Sequence, residues 1–241
     1  MSFGLGNGRD LDDAPGVVGV TREEFPPLPD AAMTDPAAGR LDPRAWFADP
    51  SRPFEIEIGP GKGTFVLNHA KAEPGVNVLA IEWQREFYLY VADRVRRAGL
   101  ANVRVLHGDA SEFLRWRLKD ATASVIHLYF SDPWPKPRHH KNRVVQDRFL
   151  AEAWRVLVPG GELRVVTDHD ELWAWDLEHF ARACDPAPVG AREGAHEGGP
   201  LFTMRDFTAP EWVGEGQTVG TNYERKKCVD KPPHSTVLVK V

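Results

Sequence analysis

The sequence predicts an α/β fold built on a mostly parallel sheet with helices on both faces. Three observations carry that prediction. From residue 54 onward, short apolar runs rich in Val, Ile and Leu alternate with stretches whose apolar residues recur at helical spacing. A glycine-rich turn, Gly59-Pro60-Gly61-Lys62-Gly63, separates the first run from the first helix. Acids follow or end successive runs (Glu57, Glu82, Asp109, Asp132, Asp168), and that edge of a parallel sheet is where such folds bind ligands.

The elements follow in order. Residues 54–58 read as a strand and 64–72 as a helix; 77–82 is the second strand, and 86–98 carries helical apolar spacing through Phe87, Val91 and Val95. Residues 103–107 form the third strand, 110–118 a short helix, 125–130 the fourth strand and 145–156 a helix. Residues 162–167 are the fifth strand and 171–183 the next helix. The Gly/Pro/Ala-rich segment 186–200 reads as a loop, and the alternation in 236–241 suggests a terminal antiparallel strand. Residues 51–241 then make one domain. Residues 1–50, rich in Gly, Pro and Asp, form an extended arm, either a disordered tail or one whose Phe25, Leu28, Trp46 and Phe47 pack on the domain or fold over a ligand.

With 42% apolar residues the chain can bury a full core. Its net charge of −5 resides in residues 1–50, which leaves the remainder neutral overall. Local fields then matter more than the total. Residues 136–143 hold four cations (Lys136, Arg138, Lys141, Arg143), two histidines and no acid. The two cysteines, Cys184 and Cys228, lie far apart and suggest neither a disulfide framework nor a zinc site. The nine histidines form no recognisable metal motif, so no metal is expected, and His127 reads as a core residue. No run approaches the ~18 apolar residues of a membrane span, and no basic segment followed by an apolar run opens the chain. A cytoplasmic location without membrane contact is the expectation. Monomer and homodimer both stay open.

The turn 59–63 lacks the Gly-x-Gly-x-x-Gly spacing of a dinucleotide site and the Gly-Lys-Ser/Thr of a P-loop. With Glu57 before it, Glu-x-Gly-x-Gly-x-Gly resembles the first motif of S-adenosylmethionine methyltransferases. Glu82, 23 residues after Gly59, is placed to accept from ribose hydroxyls. Asp109 can accept from an adenine amino group or cap the next helix, and Asp168 can bind a ligand or cap likewise. After the fourth strand come Asp132-Pro133-Trp134 and the basic run: a carboxylate for a base edge, a stacking surface and cations for phosphates. Arg225-Lys226-Lys227 reads as a solvated face.

Together these residues resemble the bacterial tRNA (guanine-N7-)-methyltransferase family over roughly residues 54–241. Residues 130–143 look like the family's Phe-Pro-Asp-Pro-Trp-x-Lys-x-Arg-His-x-Lys-Arg-Arg. Glu57-Ile58-Gly59, Thr167-Asp168 and Thr221-Asn222-Tyr223-Glu224 match in the expected order. The sequence departs from the family at Ser131, Asn142, His169 and Tyr223, and none of these removes an acid or Lys136. The resemblance implies a Rossmann-like class I methyltransferase that moves a methyl group from S-adenosylmethionine to N7 of guanine 46 in the tRNA variable loop. It implies cofactor binding by Glu57, Gly59, Gly61, Gly63, Glu82, Asp109 and Asp132, with Asp132 also the active-site acid. It implies substrate contacts from Lys136, Arg138, His139, Lys141, Arg143, Asp168, Thr221, Asn222, Tyr223 and Glu224. Two rivals are an amino-methyltransferase, because Ser131-Asp132-Pro133-Trp134 partly mimics an Asp/Asn-Pro-Pro-aromatic motif, and a non-catalytic RNA-binding subunit. The missing second proline counts against the first, and the intact cofactor acids count against the other.

Overall fold

The computed structural model describes residues 5–6, 8–186 and 199–241. Most of the segment expected as a loop at 186–200 lies outside the described residues. The chain divides into two compact units, residues 1–119 and 120–241.

In the first unit Phe54–Ile58 (β1) lies parallel to Asn77–Glu82 (β2), and β2 lies parallel to Val103–His107 (β3). Every residue of β1 and β2 is buried, as expected of parallel strands covered on both faces. The helices Thr64–Ala72 (α1) and Arg85–Ala98 (α2) pack on the strands and on each other, and Ala110–Arg117 (α3) follows β3. Val66, Ala80, Val91 and Val105 meet in one apolar core.

The described part of the arm belongs to this unit and packs on it. Val20 N–H donates to the Val105 carbonyl at 3.0 Å and Val105 N–H to that of Val18 at 2.9 Å, so the arm covers the free edge of β3. The Phe25 ring lies 5.7 Å and the Trp46 ring 6.3 Å from Phe113. Phe47 is buried against Phe54, a burial worth about 1.5–3 kcal/mol, and Leu28 packs over Gly39. Buried Arg104 would be unstable alone; it donates to Glu24 Oε2 at 2.7 Å and to the carbonyls of Val18 and Trp46.

In the second unit Ala123–Tyr129 (β4) lies parallel to Leu157–Thr167 (β5). Asp147–Val156 (α4) and Asp170–Ala183 (α5) pack on β5. The expected terminal strand is His234–Lys240 (β7), antiparallel to β5. A further strand, Phe202–Arg205 (β6), pairs antiparallel with β7, and a short helix, Asn222–Lys227 (α6), precedes β7. The fifth strand begins earlier than its apolar run, because Leu157 pairs with Ala123 before the register shifts across Pro159-Gly160-Gly161. His127 is buried, with Nδ1 2.8 Å from the Tyr129 hydroxyl. The strand pairs are mostly parallel, with an antiparallel end in the second unit, as a Rossmann-like α/β fold requires.

Candidate active site

In the first unit the site grows from the turn after β1. Gly61 and Gly63 have φ of 55° and 69°, a region that side chains disfavour. At Gly63 a Cβ would also stand 3.0 Å from the Val91 methyls, so glycine lets α1 and α2 close. Nothing lies within 4 Å of the Cβ position at Gly59 or Gly61, which leaves the turn open to a ligand. Glu82 organises this turn. Its Oε2 accepts from Gly61 N–H at 3.1 Å and its Oε1 from Gln84 N–H at 2.9 Å. The carboxylate is therefore oriented by its own backbone, and a carboxylate offers about four acceptor positions in all.

Glu57, at the end of β1, is 4% exposed, and its Oε2 has no hydrogen-bond partner among the described residues. Burial first, and repulsion from Glu82 second, push its carboxyl up to about 8, against the Val66 backbone N–H. A buried carboxyl with one oxygen unpartnered, beside an open glycine turn, suits a cationic group. Asp109 is exposed and caps α3, accepting from Glu112 N–H at 3.0 Å. For Asp109 the capping role is thus realised, and the exposed carboxylate remains accessible.

In the second unit the chain leaves β4 in a conformation that ordinary residues avoid. Phe130 has φ of 54° and Trp134 of 42°, so Asp132 sits between two left-handed non-glycine residues. Such backbone persists only where surrounding structure over-determines it, and it clusters at functional sites. Phe130 N–H donates to the Val166 carbonyl at 2.7 Å, and its ring lies 5.0 Å from that of Tyr223. The Tyr223 hydroxyl donates to Asp168 Oδ2 at 3.2 Å. Burial raises that hydroxyl's pKa, followed by the charges of Asp168, Cys228 and Asp132. Tyr223 and Asp168 are thus paired, and the Asp132 charge acts on the same hydroxyl. The α5 cap is His169 Nδ1, accepting from Leu172 N–H at 3.2 Å, so Asp168 is not consumed by capping.

The basic run winds into a 3-10 turn, Pro137–Asn142. Lys136, Arg138 and Lys141 are exposed, as a phosphate contact requires. The Trp134 ring stands edge-on to His139 at 5.9 Å, and His139 Nε2 accepts from Arg138 Nε at 3.2 Å. Two members of the expected substrate set behave differently. Arg143 is 2% exposed and faces the protein interior. Glu224 is 3% exposed, and its oxygens accept from the N–H groups of Thr218, Val219 (3.0 Å) and Gly220 (2.8 Å). A carboxylate spent on three backbone donors holds the loop before α6 in shape rather than reading a base. Thr221 caps α6 by accepting from Glu224 N–H at 3.0 Å, leaving Asn222 and Tyr223 exposed. Glu171, Trp175 and Asp176, which surround Arg143, escaped the sequence reading. The only signal is that Glu171 and Trp175 stand four residues apart on one helix.

A family model described as "Putative methyltransferase" matches residues 51–200. A tRNA (guanine-N(7)-)-methyltransferase of Nitrobacter hamburgensis is 40% identical, with 75% of this chain and 71% of that protein aligned. The enzyme of that name from Staphylococcus aureus is 36% identical over 85% of each chain. That from Staphylococcus saprophyticus is 34% identical, covering 78% of this chain and 80% of its own. The fold, the glycine turn and the family match define a methyltransferase. Within that class, the chain belongs to the tRNA (guanine-N7-)-methyltransferase family.

Proposed function

We propose that this chain methylates N7 of a guanine in tRNA, guanine 46 of the variable loop, using S-adenosylmethionine. The observation that carries the reading is the exposed Asp132 carboxylate, held between two left-handed residues at the end of β4 and acting on the hydroxyl that Tyr223 donates to Asp168, in a chain of this family. When bound, the cofactor supplies an electrophilic methyl group on a sulfonium. Glu82 and the turn at Gly59, Gly61 and Gly63 hold it, with Asp109 at its base. Glu57, buried with Oε2 unpartnered among the described residues, faces its positive charge.

Guanine N7 carries a lone pair and no proton, so no residue must act as a base before attack. The protein's contribution is alignment and electrostatics. Asp132 lies against the positive charge that develops on the guanine ring. Asp132 and Asp168 accept from the guanine N1–H and amino group, with Asp168 oriented by Tyr223. A-form RNA hides N7 in a deep narrow groove, so the target is a loop base or one drawn out of its stack, with Trp134 or Tyr223 as its platform. Lys136, Arg138, His139, Lys141, Thr221 and Asn222 line the RNA side. The methyltransferase domain spans residues 51–241, with residues 1–50 as a brace. The reaction fits a cytoplasmic enzyme; among the described residues no helix is long and apolar enough to cross a membrane.

Incubation with an unmodified tRNA transcript and labelled cofactor, followed by nucleoside analysis, tests this. The expected product is 7-methylguanosine, lost when guanine 46 of the transcript is replaced by adenine. Methylation of an exocyclic amine, or none on any tRNA, would overturn the reading.

A further inference from the structure

Among the cations of the basic run, Arg143 has the wrong exposure for a phosphate and the right contacts for something else. Its Nε donates to the Pro133 carbonyl at 2.9 Å, ten residues back along the chain. Its guanidinium lies 5.1 Å from the centre of the Trp175 ring, and Nη2 stands 3.8 Å from Glu171 Oε1 with a side chain only 1% exposed. Asp176, buried on the same helix, feels the Arg143 charge, which opposes the rise that burial imposes on its carboxyl. The backbone is fixed as well. Arg143 N–H donates to the His140 carbonyl at 3.0 Å, and Gln146 Nε2 donates to the carbonyls of Lys141 and Arg143, each at 2.8 Å. Trp175 Nε1 donates to the Val145 carbonyl at 2.7 Å, tying α5 to the segment beyond.

We propose that Arg143 is a positioning residue: α5 holds its guanidinium, and the guanidinium holds the Pro133 carbonyl that fixes the Asp132-Pro133-Trp134 turn. The inference rests on the proposed methyl transfer, since Asp132 is the residue so placed. The Pro133 carbonyl belongs to the peptide that leads into Trp134, whose φ of 42° needs an external restraint to persist. Without the anchor that peptide rotates, and the Asp132 carboxylate on its other side moves with it. The side-chain type matters. A planar fork can stack on an indole, face a carboxylate and donate edge-on to a carbonyl together, whereas an ammonium is a point charge. The neighbouring Lys136, Arg138 and Lys141 are exposed, so the run divides into three cations for RNA and one for the turn.

The test compares Arg143→Gln, Arg143→Lys and Lys141→Ala in the full chain. Single-turnover methylation at saturating tRNA should fall on the order of 100-fold in both Arg143 variants, the effect of a misplacement near 1 Å. Lysine should not rescue. The slope of log tRNA affinity against log salt should stay wild-type in Arg143→Gln and drop by about 0.7–0.9 in Lys141→Ala. With fluorotryptophan incorporated, the Trp134 resonance, assigned through Trp134→Phe, should shift in both Arg143 variants. If Arg143→Gln fails to fold, the rate and the resonance of Arg143→Lys decide. A wild-type rate in Arg143→Lys, an unmoved Trp134 resonance or a lowered salt slope in Arg143→Gln would each overturn the proposal. A wild-type protein inactive on every tRNA would instead overturn the proposed function, and the Trp134 resonance would still test the anchor.

Discussion

The two units solve different problems with the same residue types. In the first, the strand-end acids Glu57 and Glu82 are buried, and Glu82 is oriented by backbone N–H groups beside it. In the second, Asp132, Lys136, Arg138 and Lys141 are exposed, while the buried charges Arg143 and Glu224 hold loops in shape. A small cationic cofactor can be enclosed, so its partners gain from a low dielectric. A polyanion as large as tRNA cannot be enclosed, and its cations must stand in solvent where salt screens them. Exposed loops lack the packing that fixes a carboxylate, and the second unit compensates with strained backbone tied to buried charges.

That contrast breaks first at Asp132. If its charge matters despite exposure, Asp132→Asn should slow single-turnover methylation of saturating tRNA by about 100- to 1000-fold, as loss of one preorganised electrostatic group does. Asparagine starts a turn before proline as well as aspartate does. A rate within a few-fold of wild type would reduce Asp132 to a turn residue.

Glu57 sharpens the enclosed side. Its folded pKa of about 8 exceeds the ordinary value of 4.5, so the folded state binds more protons between those limits. Stability is therefore fullest below the ordinary pKa and is lost as pH rises through about 8. Asp176, pushed up to about 7, acts with the same sign. Glu57→Gln should flatten the decline of Tm with rising pH, and it should weaken S-adenosylmethionine binding about 10- to 100-fold, one charge-assisted bond of ~1.5–3 kcal/mol. Thermal melts across that pH range and titration calorimetry read both. An unchanged pH profile together with unchanged affinity would show that Glu57 is neither strained nor facing the cofactor.

The smallest effects belong to the exposed cations. Each of Lys136→Ala, Arg138→Ala and Lys141→Ala should lower the salt slope of tRNA binding by about 0.7–0.9 without altering the melting temperature beyond a degree or two. A triple variant with the wild-type slope would place RNA on another surface.

Strands and helices of the first unit were legible because each buries a periodic apolar face: β1, β2, β3 and α1 lie where their residue patterns place them. Four-residue β6 was not, since only Phe202 of it is buried and it exists by pairing with β7. Helix α6 escaped because it is polar, six residues long and held by the Thr221 cap. The arm reads as polar and Pro-rich, yet Phe25, Trp46 and Phe47 find aromatic partners that no local pattern reveals.

By itself the sequence determined the fold class, the glycine turn, the order of the strand-end acids and the family, because each is written in local spacing. Only the tertiary structure decided which charges stay in solvent. Lys141 and Arg143 stand two residues apart in one basic run, yet the turn between them sends one to water and the other against Trp175. Glu224 matches a substrate-binding motif and is spent on the N–H groups of Thr218, Val219 and Gly220. Charge is a property of the residue. Burial is a property of everything packed around it, and an ionised group goes inside only where distant parts of the chain supply its partners.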